Sequence, residues 1–81
     1  MEYDMAALNY RVLLRKEPEG GYTVIVPSLP GCVTFGETVE EGIEMAKQAI
    51  ALYIESLKAR GEQVPSEGDT LEFTVTVEEH A

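Results

Sequence analysis

Leu8, Tyr10, Val12 and Leu14 alternate with Asn9, Arg11 and Arg15, which is the period of two that gives a strand one buried face. Leu13 interrupts the polar side of that pattern. Lys16 to Gly21, reading Lys-Glu-Pro-Glu-Gly-Gly, is dense in turn formers, and Tyr22, Val24 and Val26 then resume alternation with Thr23 and Ile25. The pair reads as a hairpin. Pro27, Pro30 and Gly31 impose a corner, after which Cys32 to Phe35 forms a third, short strand returning along the second. Leu13 and Ile25 share the sheet face opposite the helix, where unpartnered apolar side chains mark an oligomer interface.

The period then changes from two to 3.6. Thr38 with Glu41 three residues later is a capping box, in which the hydroxyl accepts from the Glu41 amide and the carboxylate reaches back to the Thr38 amide. Val39, Ile43, Ala46, Ile50, Ile54 and Leu57 follow at spacings of three and four, widened by Met45, Leu52 and Tyr53, so the helix has one apolar stripe. Glu40, Glu41 and Glu44 suit the positive end of its dipole, and Lys58 and Arg60 the negative end. Gly61 suits a left-handed cap, and Pro65 prevents continuation. Leu71, Phe73, Val75 and Val77 finally alternate with Glu72, Thr74, Thr76 and Glu78, which predicts a fourth strand.

The order β-β-β-α-β predicts an α+β fold, a three-stranded antiparallel meander with the helix packed on one face. A right-handed crossover then sets the fourth strand beside the first and parallel to it. The 81 residues make one domain, with a core from about residue 8 to residue 78. A chain this short buries a modest core, so apolar surface is expected to be shared with another copy, in a homodimer or homotetramer, or with a partner.

Charge narrows the partner. The formal net charge is -9, and thirteen Glu against two Asp supply the excess. Phosphates would meet a repulsive field, so nucleic-acid binding by this chain is not expected; by itself the charge reads as keeping a small protein in solution, with a basic partner as the sharper alternative. The residues offer little chemistry. Two divalent metals would need converging carboxylates, whereas Asp4 and Asp69 read as parts of a leader and a turn, and the helix-start glutamates as dipole partners. The lone Cys32 reads as a small apolar residue, His80 stands one residue from the end, and Ser28 has no base beside it. Gly20, Gly21 and Gly31 lack the spacing and lysine of a phosphate loop. No catalytic residue, metal ligand or cofactor is therefore assigned. With no signal peptide, no membrane span and no disulfide pairing, the expected compartment is the cytoplasm, away from membranes.

The stretch Val26 to Thr38, Val-Pro-Ser-Leu-Pro-Gly-Cys-Val-Thr-Phe-Gly-Glu-Thr, lies between Gly-Tyr-Thr-Val-Ile and Val-Glu-Glu-Gly-Ile. It resembles the N-terminal domain of HicB-family antitoxins, whose pattern is an aromatic and aliphatic strand, Val-Pro-Asp-Leu-Pro-Gly-Cys, Gly-Asp-Thr, and an acidic, Ala-rich helix. The match runs from Tyr10 to about Pro65; Ser28 and Glu37 depart from it, and Gly42 stands where Ala is common. The resemblance implies a truncated ribonuclease-H-like layout. It also implies a noncatalytic module that covers a small, basic, messenger-RNA-cleaving HicA-type toxin. The expected contacts are Pro27, Leu29, Pro30 and Phe35, with Gly31 and Gly36 shaping the backbone. Full-length family members commonly append a DNA-binding domain, for which these 81 residues leave no room, so operator binding by this chain alone is not expected. A solitary homo-oligomer with a structural or small-molecule-binding role is the second reading, and a metal-dependent nuclease a third, disfavoured one.

Overall fold

A computed structural model describes residues 7–68 and 70–80, so the expectations for Asp4 and Asp69 lie outside the described residues. Three strands, β1 (Leu13–Lys16), β2 (Tyr22–Ile25) and β3 (Val33–Gly36), precede one helix, α1 (Val39–Ala59). The sheet order is β1-β2-β3 and both pairs are antiparallel. Leu14 lies opposite Val24, which lies opposite Thr34, and this row faces the helix. Leu13, Ile25 and Val33 form the adjacent row on the other face, as the alternation requires. The meander and single helix expected of the sequence are present.

The helix begins where the cap places it. Thr38 is extended, and its hydroxyl accepts from the Glu41 amide at 3.1 Å. The returning carboxylate of Glu41 differs from expectation, because it accepts from the Glu37 amide rather than that of Thr38. At the other end Gly61 donates to the Lys58 carbonyl and Glu62 to that of Leu57, the paired bonds of a Schellman cap.

The helix face is rotated slightly from the predicted stripe. Gly42, Ala46 and Leu57 are its buried residues, while Val39 and Ile43 stay exposed. The reason is close approach. A Cβ built on Gly36 would lie 2.4 Å from the Gly42 amide nitrogen, so the first turn of the helix rests directly on the β3 backbone. With Gly42 facing the sheet, the larger neighbours move to the rim. The core lies behind this contact and includes Val24, Val26, Leu29 and Cys32, all buried, with Tyr10, Val12, Ala49, Ile50 and Tyr53 packed around the last three.

The predicted fourth strand is absent from the sheet. Residues 70–80 have no strand pairing, and Leu71, Phe73, Val75 and Val77 are each between 77 and 81 % exposed. Thus β1 stands at an edge of the described sheet, and the radius of gyration is 16.0 Å against about 12 Å for a compact chain of this length. The alternation is real, but alternation orients side chains without supplying a neighbouring strand.

Candidate functional site

The corner between β2 and β3 is a closed, self-bonded loop. At its neck the Val26 amide donates to the Cys32 carbonyl at 3.0 Å, and two tight turns lie between them, Leu29 to Val26 at 3.0 Å and Cys32 to Leu29 at 2.9 Å. Pro27 and Pro30 have no amide hydrogen to leave unsatisfied. The Gly31 φ of +82° is one that a residue bearing a Cβ seldom adopts, and it lets the chain turn back into β3. The helix braces the loop from one side, where the Tyr53 hydroxyl donates to the Pro30 carbonyl at 2.7 Å. Little ordering remains to be done if a partner docks here, which favours binding.

Leu29 is fully buried, inside the loop, and this corrects its expected place among the contacts. The two turns aim its side chain inward, and burying it removes more apolar area from water than facing solvent would. Gly36 is also internal, held by its contact with Gly42. Pro27, Pro30 and Gly31 remain exposed at the tip. Phe35 lies apart from them on the sheet face away from the helix, its ring over Gly21 and 44 % of the residue exposed.

On that same face the register brings together residues expected to serve two different purposes. Leu13, Ile25 and Val33 form a cross-strand row, and Thr23 opposite Phe35 begins the next. Val33, 57 % exposed, belongs to this patch and is absent from the contacts expected of the sequence. Its parity signals the placement, since it is two residues from Phe35 and one from buried Cys32.

A second set of contacts ties the segment after the helix to the chain before β1. Glu67 accepts from the Arg11 amide at 2.8 Å, and the Tyr10 hydroxyl donates to the Pro65 carbonyl. The Arg11 amide bond holds the Glu67 carboxyl below its ordinary range, with the Ser28 hydroxyl and the Arg11 charge adding to the effect. Burial pushes the Cys32 thiol up, which keeps it protonated as suits a core residue. Arg11, Arg15, Lys47 and Arg60 each pair with a carboxylate, of Glu72, Glu17, Glu44 and Glu62 respectively. Positive charge is thereby neutralised locally and the acid excess faces outward. Among the described residues, no three His, Cys, Asp or Glu side chains gather as a metal site, and no helix is long and apolar enough to cross a membrane.

A family model described as the HicB-like antitoxin of bacterial toxin-antitoxin systems matches residues 10–81. UPF0150 protein ssr1765 of Synechocystis is 52% identical over 59 residues, covering 73% of this chain and 75% of that protein. UPF0150 protein Ta0767 of Thermoplasma acidophilum is 47% identical over 58 residues, 72% of this chain and 84% of its own. Antitoxin HicB 1 of Photorhabdus laumondii is 38% identical over 61 residues, 75% of this chain but 39% of the antitoxin.

Proposed function

Since the chain belongs to the HicB-like antitoxin family of bacterial toxin-antitoxin systems, we propose that it acts without catalysis, by binding and neutralising a small basic ribonuclease toxin of the HicA type. The family match over residues 10–81 carries this reading. The surface fits the task. A net charge of -9 steers a basic partner toward the chain, and apolar groups on a preorganised frame hold it. The contacts we assign are Pro27 and Pro30 at the tip, with Gly31 shaping it, and Phe35 on the sheet face. Gly36 acts indirectly, by allowing the helix to settle on β3. Leu13 and Ile25, with Val33, form an interface between copies of the chain, in the cytoplasm.

A second reading has its own support. The chain covers 75% and 84% of two relatives named as UPF0150 proteins, against 39% of the antitoxin HicB 1. The alternative is a solitary homo-oligomeric module with no toxin. The two are separated by purifying the tagged chain from its native host at low salt, where charge-steered contacts persist, and weighing what stays bound. A stoichiometric small basic protein whose RNA cleavage stops on adding this chain supports the antitoxin. If the chain recovers only copies of itself, the solitary module is the better account.

A further inference from the structure

The helical period counts Leu52 with the stripe that packs α1 on the sheet, yet the fold leaves it out. Leu52 is 65 % exposed, more than any other large apolar side chain of the helix, the next being Ile43 at 44 %. Met45, Ala49 and Leu52, spaced by four and three, run as one apolar ridge along the flank of α1 nearest the corner. There Ala49, Leu52 and Tyr53 face Gly31 and Cys32 across a shallow groove of about 340 Å³, with Val33 where the groove meets the sheet. The groove is continuous with the corner tip. Its frame is already ordered, because the Tyr53 hydroxyl donates to the Pro30 carbonyl at 2.7 Å and ties the helix to the tip.

Charge on this flank has one sign. At about 100° per residue, the helix carries Glu41, Gln48 and Glu55 within about 60° of Leu52 and no cation, while its two lysines, Lys47 and Lys58, lie about 140° and 120° away. Arg60, just past the last turn, is held by Glu62 at 2.8 Å. Among the described residues neither Glu41 nor Glu55 forms an ion pair, and the Glu41 carboxylate accepts from the neutral Glu37 amide, so both charges stay available to a partner.

Resting on the antitoxin reading for the partner's identity, we propose that this flank of α1 is the second half of the docking surface: the basic toxin seats an apolar side chain in the groove against Leu52 and sets its cations against Glu55 and Glu41. The surface then runs from Pro27 and Pro30 across Gly31 to the helix, with the apolar centre and charged rim of a specific interface. Leu52 is its anchor. Glu55, one turn further along, acts on encounter, since a rim charge steers a partner more than it holds one. The face of Leu13 and Ile25 is left to the contact between copies.

The HicA-type toxin that copurifies with the chain, titrated into the full chain and its variants, tests this. Leu52→Ala keeps a strong helix former at an exposed position, and should weaken binding tenfold or more with helical circular dichroism unchanged. Glu55→Gln should slow association by roughly twofold to threefold at low salt and leave it unchanged at high salt. Ile43→Ala, on the opposite flank, should leave the affinity within about twofold of wild type. A toxin that binds wild type and Leu52→Ala alike overturns the proposal and leaves the antitoxin reading in place, and a larger loss for Ile43→Ala than for Leu52→Ala does the same. Recovery of no basic protein overturns both. Should Leu52→Ala lose its helix, amide shifts of the labelled wild type on adding the toxin decide: changes across 48–56 together with 31–33 support the site, and their absence from 48–56 overturns it.

Discussion

Val24 and Val75 stand in similar surroundings in the sequence, each a valine flanked by apolar residues two positions away and by Thr or Ile next to it, yet one is fully buried and the other 77 % exposed. The difference is in what lies alongside. β2 is paired on both edges and has the helix across one face, so its alternation is used: Val24 faces Gly42 of the helix, and Ile25 faces the other way. The arm has neither a paired edge nor a covering layer. Amphipathic alternation therefore commits a segment to having two faces, but stabilises the chain only once another element removes the apolar face from water.

The strongest test of that contrast lies in the core. Leu29→Ala should cost about 3 kcal/mol in urea unfolding, because the side chain is fully buried and the closed corner collapses poorly around the space left behind. A cost under about 1 kcal/mol would return Leu29 to the surface. Gly36→Ala follows at about 2–3 kcal/mol, since the added Cβ meets helix backbone at 2.4 Å and the helix must lift from β3.

The valine pair gives the direct comparison. Val24→Ala should cost about 2 kcal/mol, and Val75→Ala less than about 0.5 kcal/mol when both are measured dilute enough for the chain to be a monomer. Equal losses would mean that the arm is packed within its own chain. Gly31→Val separates backbone from packing at the corner: its Cβ would meet nothing within 4 Å, so the expected loss of about 1–2 kcal/mol comes from the positive φ alone. Gly31→Asn should recover much of it, because Asn tolerates that conformation.

The smallest effect is one of pH. The Glu67 carboxyl is lowered in the folded chain, first by the Arg11 amide, so its unfolded pKa is the higher of the two. Its contribution is therefore present above the ordinary value of 4.5 and is lost as pH falls through the lower, folded one. Glu67→Gln should flatten the acid side of the stability profile relative to wild type and leave the order of the core variants unchanged. An unaltered acid limb would detach Glu67 from the joint with Arg11.

Sequence alone determined the local elements of this protein, because their causes are local. The cap at Thr38, the left-handed turn at Gly61, the corner from Pro27 to Gly31 and the two faces of each strand all follow from side-chain chemistry within a few residues. Even the placement of Val33 beside Phe35 is a matter of parity. The tertiary structure decided what touches what. The Gly36–Gly42 approach seats the first turn of the helix on β3 and leaves Ile43 at the rim, which no helical period can express because it depends on two glycines meeting across layers. Leu29 has the composition of an exposed turn anchor and becomes core because the loop closes around it. Leu71 to Val77 has the pattern of a strand and is unpaired because a strand is a relation between two segments, and the second must be brought to it.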